Sequence, residues 1–214
     1  MLQGKAKSEG NMDVILFGGS FNPPHIGHRH VISTIQKKFP NGKLYICPNF
    51  VSPFKLNGKI FTKEEIWSLC QTEFKSFLAN QSNQIVLWDE EIKKENISFT
   101  IDTIQSLKTL EPNKPICLVI GEDNIDKFNE WKSYKEILEG ISNLIIVRRK
   151  TEFPLPIKCP EYIDKSKFLV LDNPIVVMSS SELRNHLDIE NVKDSILPET
   201  KSLLISILEK NNKT

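Results

Sequence analysis

The stretch from Val14 to Phe39 constrains the fold more than any other part of the chain. Val14-Ile15-Leu16-Phe17 is an apolar run of strand length. Gly18-Gly19-Ser20-Phe21-Asn22-Pro23-Pro24-His25-Ile26-Gly27-His28 follows it. His28, Val31, Ile32, Ile35 and Phe39 then recur on one helical face. The order is strand, glycine turn, helix. Glycines allow the backbone to come close to a ligand. Pro23 and Pro24 keep the helix from starting earlier and stiffen the approach. The helix start aims unpaired N–H groups and a partial positive charge at the turn, which is an anion site before any side chain is considered. His25 and His28 share a face of the first turn, where both imidazoles can reach one phosphate chain. Half of the chain's four histidines fall in this stretch, and a helix start needs neither.

A chain of 214 residues fits one domain, or one with a small appendage. Residues 12–214 are expected to form a single domain ending in a helical segment. Met1 to Asn11 is polar and is expected to be a disordered lead-in, with Met12 as an alternative start. Net charge is +1, so no broad basic face for nucleic acid is implied. Cys47, Cys70, Cys117 and Cys159 show no C-x-x-C spacing and are expected to be buried thiols in a reducing cytosol. No apolar run approaches membrane-spanning length and no signal peptide is evident, so a cytoplasmic location without membrane contact is expected.

The remaining chain alternates strand and helix. Leu44-Tyr45-Ile46-Cys47 is a second strand after the Pro40-Asn41-Gly42 turn. Thr62 to Glu65 is a capping box for a helix that turns Ile66, Leu69, Cys70, Phe74 and Phe77 inward. Ile85-Val86-Leu87-Trp88 is a third strand, and Ser98 or Thr100 is expected to cap a helix reaching Leu110. Ile116 to Ile120 lacks polar residues, as a parallel strand buried on both faces should. It ends in Gly121-Glu122-Asp123, a glycine and acids where doubly wound sheets bind ligands. Ser133 to Glu136 and Ser179 to Glu182 are further capping boxes. Leu144 to Val147, Phe168 to Leu171 and Ile175 to Met178 supply the last strand material. Pro198 to Asn211 is a terminal helix with Leu203, Leu204, Ile207 and Leu208 inward. The pattern predicts an α/β, Rossmann-like, doubly wound and mostly parallel sheet with helices on both faces.

Gly-Ser-Phe-Asn-Pro-x-His-x-Gly-His, at residues 19–28, resembles the signature of the nucleotidyltransferases related to class I aminoacyl-tRNA synthetases. In its details the chain most resembles the bacterial nicotinate-nucleotide adenylyltransferases, which act at the penultimate step of NAD synthesis. Glu91-Ile92 and Ser98-Phe99-Thr100-Ile101-Asp102-Thr103 resemble that family's Glu-Ile and Ser-Tyr-Thr-x-Asp-Thr, with Phe99 for tyrosine. Phe128 and Trp131 match its Phe-x-x-Trp. Arg149 matches an arginine closing the fifth strand, with Lys150-Thr151 in place of Pro-Gly. Met178 to Arg184 resembles its second signature, Ile-Ser-Ser-Thr-x-Ile-Arg. Ile66 stands where the family usually has arginine. The resemblance runs from about Val14 to Leu187.

The resemblance implies adenylyl transfer from ATP to nicotinate mononucleotide, with release of pyrophosphate. It implies that His25, His28 and Arg184 are catalytic. It places Gly18, Gly19, Ser20, Phe21, His25, His28, Gly121, Asp123, Ser179, Ser180 and Arg184 on ATP. It places Ser20, Asn22, Lys55, Phe99, Thr100, Trp131 and Arg149 on the mononucleotide. Mg²⁺ is expected to travel with ATP, keeping most of its waters, and no residue is named as its ligand. The alternatives are a pantetheine-phosphate adenylyltransferase, which shares both signatures, and a catalytically silent nucleotide-binding regulator. Oligomeric state is not legible. Arg184→Ala is expected to slow pyrophosphate release and weaken ATP binding together, and Arg184→Lys to restore only part, because a point charge cannot reproduce two-pronged contact. Steady-state kinetics in ATP decides it: a fully active lysine variant removes Arg184 from the site.

Overall fold

A computed structural model describes residues 13–49, 60–79, 84–94, 97–148, 156–175, 180, 183 and 195–211. Its sheet has six strands: β1 Val14–Gly19, β2 Lys43–Pro48, β3 Ile85–Leu87, β4 Ile116–Gly121, β5 Asn143–Val147 and β6 Phe168–Leu171. Their order is β3-β2-β1-β4-β5-β6 and every adjacent pair is parallel. The order reverses between β1 and β4. Helix connections leave on opposite sides of that point, so the carboxyl ends of β1 and β4 border a crevice.

Period-2 alternation along each strand divides the core between the two faces. Ile15 and Phe17 of β1, Cys117 and Val119 of β4, and Ile145 and Val147 of β5 share one apolar cluster. It is covered by Val31, Ile32 and Ile35 of α1 (Ile26–Lys38), by Ile66 and Leu69 of α2 (Lys63–Glu73), and by Leu204 and Ile207 of the terminal helix Pro198–Asn211. Val14 and Leu16, Leu118 and Ile120, and Leu144 and Ile146 face the other way. Ile101, Ile104 and Leu107 of the helix Thr100–Leu110, Ile125 and Phe128 of the 3-10 segment Glu122–Glu130, and Ile137 of the helix Tyr134–Gly140 cover them. Both faces of the sheet are thus sealed, which is why the strands read as continuous apolar runs. In chain order the other helices are α3 (Lys75–Leu78), α4 (Glu90–Lys94), α5 (Thr100–Leu110), α6 (Tyr134–Gly140) and α7 (Pro198–Asn211).

The expected helix over Thr62 to Phe77 is broken: Phe74 ends α2 and begins α3. The Thr62 box itself forms, with Thr62 accepting from the Glu65 N–H and Glu65 accepting from the Thr62 N–H. Two other expected caps do not form. Ser133 sits at φ 53, ψ 38, and its side chain makes no capping bond. A cap needs an extended backbone to aim its oxygen at the helix, and the left-handed conformation at Ser133 aims it elsewhere. At α5 the cap position is held by Phe99, one residue from each expected serine or threonine, and no side chain caps that helix. All four cysteines are free and the three strand or helix thiols are buried. Burial pushes the Cys117 thiol up to about 11. Among the described residues no helix is long and apolar enough to cross a membrane. Residues 1–12, and the strand material expected over 176–178, lie outside the described residues.

α1, α2 and α7 meet at a buried acid. Glu73, the last residue of α2, has no exposed surface. Its Oε1 lies 3.0 Å from Arg29 Nε of α1, a charge contact whose angle falls short of a hydrogen bond. Its Oε2 accepts from the Leu197 N–H at 2.9 Å, just before α7. Loss of solvent pushes the Glu73 carboxyl above the usual carboxylate range, against the pull of the Leu197 N–H and the Arg29 charge. Glu73→Ala is expected to cost about 2–3 kcal/mol, below the figure for a fully buried pair because Arg29 can hydrate. Glu199→Ala, which breaks only the exposed pair with Lys75, should leave stability close to wild type. Urea denaturation of the two variants measures the difference.

Candidate active site

β1 ends at the order reversal, and the chain leaves it through Gly18, Gly19 and Ser20. A Cβ at Gly19 would stand 3.2 Å from Phe21 Cζ, so the absent side chain is what lets the Phe21 ring fold back beneath the strand end. Among the described residues a Cβ at Gly18 would meet only Cys47 O at 3.9 Å, which leaves space beside it. Phe21 takes φ 41 and is buried against Phe17, Phe74 and His28, with ring centroids 5.4, 5.8 and 4.8 Å away. A bulky residue at positive φ is strained. The packing of that ring on all three neighbours holds it there. Asn22 is buried and the Asn22–Pro23 bond is cis.

The two histidines cap the helix reciprocally. His25 is the N-cap of α1, and its Nδ1 accepts the Gly27 N–H at 3.1 Å. His28 Nδ1 in turn accepts the His25 N–H at 3.1 Å. This is a capping box built from two imidazoles instead of a serine and a glutamate. Ile26 N–H donates to Ser195 O at 2.7 Å, and His28 N–H donates to His25 O at 2.9 Å. The expected anion site of free N–H groups at this helix start is therefore corrected: imidazole and carbonyl acceptors already hold the first turn. The donors move outward instead. An Nδ1 that accepts a hydrogen bond carries no proton, so the network assigns both rings the Nε2–H tautomer. The ring centroids are 3.9 Å apart, and both residues are largely buried.

Ser180 of the second signature reaches this turn, its Oγ donating to Pro23 O at 2.9 Å. Leu183 is buried in the α1 face of the core. Gly121 closes β4 across the crevice and is followed by an exposed Asp123. Lys55, Arg149, Ser179 and Arg184 lie outside the described residues.

Phe99 and Trp131, expected as the other pocket wall, lie on the α5 face of the sheet. Both lean on the cluster that contains Leu118 and Ile120. Lys132 joins them: its Nζ lies 4.3 Å from the Phe99 ring centroid and 3.5 Å from Asp102 Oδ2. Trp131 also packs on Phe128, with ring centroids 5.1 Å apart. The start of α5, with Thr100 first, is thus brought beside the Trp131 turn, and it is open of any side-chain cap.

Several supports carry little or no mark in the sequence. Ser195 works through its backbone, which sequence does not advertise. Asn173 clasps the ends of β5 and β6, donating to Arg148 O at 3.1 Å and accepting from Arg148 N–H at 3.0 Å. Lys132 carries a weak signal, a cation next to a tryptophan. Ile66, in the position of the family's arginine, is sealed in the core with no exposed surface.

A model of the cytidylyltransferase-like family matches residues 16–186. A protein of Leptospira borgpetersenii serovar Hardjo-bovis, described as a probable nicotinate-nucleotide adenylyltransferase, is 34% identical over 85% of this chain and 88% of its own. One from Fusobacterium nucleatum subsp. nucleatum, with the same description, is 28% identical over 90% and 97%. The Plasmodium falciparum nicotinic acid mononucleotide adenylyltransferase complexed with NaAD superposes with a TM-score of 0.71 at 23% identity, over 92% of this chain and 96% of that one, a likeness of fold. The chain belongs to the cytidylyltransferase-like family, and within it to the nicotinate-nucleotide adenylyltransferases.

His28→Ala is expected to remove one Nε2–H donor and half of the reciprocal cap. If that donor faces transition-state charge, kcat should fall by about two to three orders of magnitude. The cap alone accounts for only about 1 kcal/mol of stability. His30→Ala, whose residue lies on another helical face, should leave turnover near normal. Near-normal kcat in the His28 variant would remove it from the chemistry.

Proposed function

We propose that the chain transfers the adenylyl group of ATP to nicotinate mononucleotide in the cytoplasm, forming the deamido dinucleotide and pyrophosphate for NAD biosynthesis. The observation that carries this reading is the pair of Nε2–H imidazoles held by the α1 start at the order reversal of the sheet. The relatives' descriptions point the same way. Residues 12–214 are read as a single nucleotidyltransferase domain.

The mononucleotide phosphate is ionised at neutral pH, so its oxygen attacks the α-phosphorus without a general base. The bond from the α-phosphorus to the bridging oxygen breaks, and its electron pair leaves on pyrophosphate. What remains for the protein is alignment and stabilisation of charge on the phosphoryl oxygens. His25 and His28 supply neutral donors whose direction is set by the helix cap. Arg184 is proposed to add a guanidinium to the triphosphate. Gly18, Gly19, Ser20 and Phe21 shape the approach to it, and Gly121, Asp123, Ser179 and Ser180 line the ATP side. Ser20, Asn22, Lys55 and Arg149 are assigned to the mononucleotide.

Magnesium would neutralise charge on the ATP oxygens. The described residues contain no group of three or more His, Cys, Asp or Glu placed to hold a metal ion. Asp123, two residues past the end of β4, would contact the magnesium ion's waters.

Phe99, Thr100 and Trp131 are assigned to the pyridine. A flat ring stacks on Trp131 whether its substituent is an acid or an amide. The open start of α5 separates them, because its N–H groups match a carboxylate and leave an amide NH₂ unmatched. Wild type is expected to prefer nicotinate over nicotinamide mononucleotide by at least about tenfold in kcat/KM. Trp131→Ala should raise KM for both and leave their ratio roughly unchanged. Pyrophosphate release with nicotinate mononucleotide, nicotinamide mononucleotide, phosphopantetheine or no acceptor measures this. Equal use of the amide would overturn the substrate assignment. A ratio that collapses in the variant would give Trp131 the discriminating role instead of α5.

A further inference from the structure

We propose that Glu91 is a positioning residue for the mononucleotide half of the site, fixing the start of α5 from behind so that Phe99 and Thr100 present a defined surface. The proposal rests on the assignment of that surface to the mononucleotide.

Glu91 lies in the short helix α4 and is 8% exposed. Its Oε1 accepts the Thr103 hydroxyl at 2.5 Å. The Ser98 hydroxyl also favours the ionised carboxylate. One carboxyl group therefore holds α5 at Thr103, one turn after Phe99, and acts on Ser98, one residue before it. Phe99 is itself the first acceptor of the helix. Its carbonyl takes the Asp102 N–H at 3.0 Å and the Thr103 N–H at 3.3 Å, with the Thr103 Oγ1 3.4 Å away. The other side of Glu91 is the sheet: α4 packs on β2, where the Glu91 charge adds to burial in raising the Cys47 thiol.

The need for such a hold follows from the cap. Phe99 has no side-chain oxygen to order the helix start, and the cap position makes no side-chain capping bond. A cap oxygen placed in front would occupy the N–H groups that the proposed substrate uses. Support from behind leaves them open. Loss of solvent raises the Glu91 carboxyl above its ordinary range, so the fold carries an unfavourable group here. Simple packing of α4 on α5 does not require one. A separate exposed link, Lys94 Nζ to Ser106 Oγ at 3.2 Å and to Glu90 Oε1 at 2.6 Å, already joins the two helices.

The test compares Glu91→Gln, Glu91→Asp, Glu91→Leu, Thr103→Val and the surface control Lys94→Ala in the full chain. Each is measured for KM of the mononucleotide, KM of ATP, kcat and Tm. A glutamine keeps reach and shape: its amide oxygen takes the Thr103 hydroxyl and its NH₂ meets the Ser98 oxygen. An aspartate keeps charge but stops one methylene short. Glu91→Asp and Glu91→Leu are expected to raise KM for the mononucleotide by roughly tenfold, with KM for ATP within about twofold. Glu91→Gln should retain most of the affinity, Thr103→Val should fall between, and Lys94→Ala should resemble wild type. The two KM values rising together, a Tm shift without a KM split, or aspartate outperforming glutamine would each overturn the proposal. If Glu91→Leu does not fold, the glutamine, aspartate and valine variants carry the comparison. If wild type prefers a mononucleotide other than nicotinate, the substrate reading fails, and the split is read with the mononucleotide it does use.

Discussion

The reciprocal cap between His25 and His28 is the interaction on which the site depends. Each ring uses Nδ1 on a backbone N–H, so each ring's orientation is set by the helix and not by solvent. A serine at the same position would satisfy the helix start as well, for about the same 1 kcal/mol. What serine cannot do is carry a second polar atom out of the same planar group. An imidazole links the two functions rigidly: one nitrogen faces the backbone and the other faces away. In the proposed reaction, two preorganised donors meeting developing charge would be worth about 3–4 kcal/mol each, several times the cap. Under that proposal charge stabilisation, the stronger effect, accounts for the choice of histidine, and capping accounts for how each ring is aimed.

That arrangement also divides the labour between two helix starts. At α1 the first N–H groups are occupied by His25 and by the Ser195 carbonyl, so the positive end of the helix acts through the rings. At α5 the cap position is an aromatic residue with nothing to offer, and the start stays open. A closed start with outward imidazoles suits a polyphosphate that must move through a transition state. An open start suits a small fixed anion recognised by backbone geometry.

Much of the fold was legible because both faces of the sheet are buried. Strands sealed on two sides must be apolar throughout, and each of the six shows it, from Val14 through Leu171. The amphipathic spacing of α1 and α7 marked the faces they bury. Legibility failed where backbone conformation overrode propensity. Ser133 and Glu136 have the spacing of a capping box, yet Ser133 lies in the left-handed region and caps nothing. Ser98 and Thr100 flank a cap that falls between them on Phe99, and the Ser98 hydroxyl acts on the Glu91 carboxyl instead. At the site, the histidine pair was visible from spacing alone, but that the pair would close the helix start was not. The spacing of two rings says that they share a face and leaves open which nitrogen meets the backbone. Ser195 was invisible for a simpler reason: it contributes a carbonyl, which every residue has.

Two buried glutamates hold the two helix starts from the rear. Glu73 fastens Arg29 of α1 and the Leu197 N–H, two residues after the Ser195 carbonyl that closes α1. Glu91 fastens Thr103 in the first turn of α5 and acts on Ser98 just before it. Both carboxyls are pushed upward by burial, so neither is placed where the fold gains most from it. Apolar side chains of similar size would fill the same volumes and avoid that cost. They could not choose directions. A carboxylate accepts two donors along set lines and so fixes a helix end in rotation as well as in distance, which close packing alone does loosely. The cost is therefore concentrated where a helix start carries donors that must point one way, and α6, whose start carries no proposed donor, has no buried acid in its first turn.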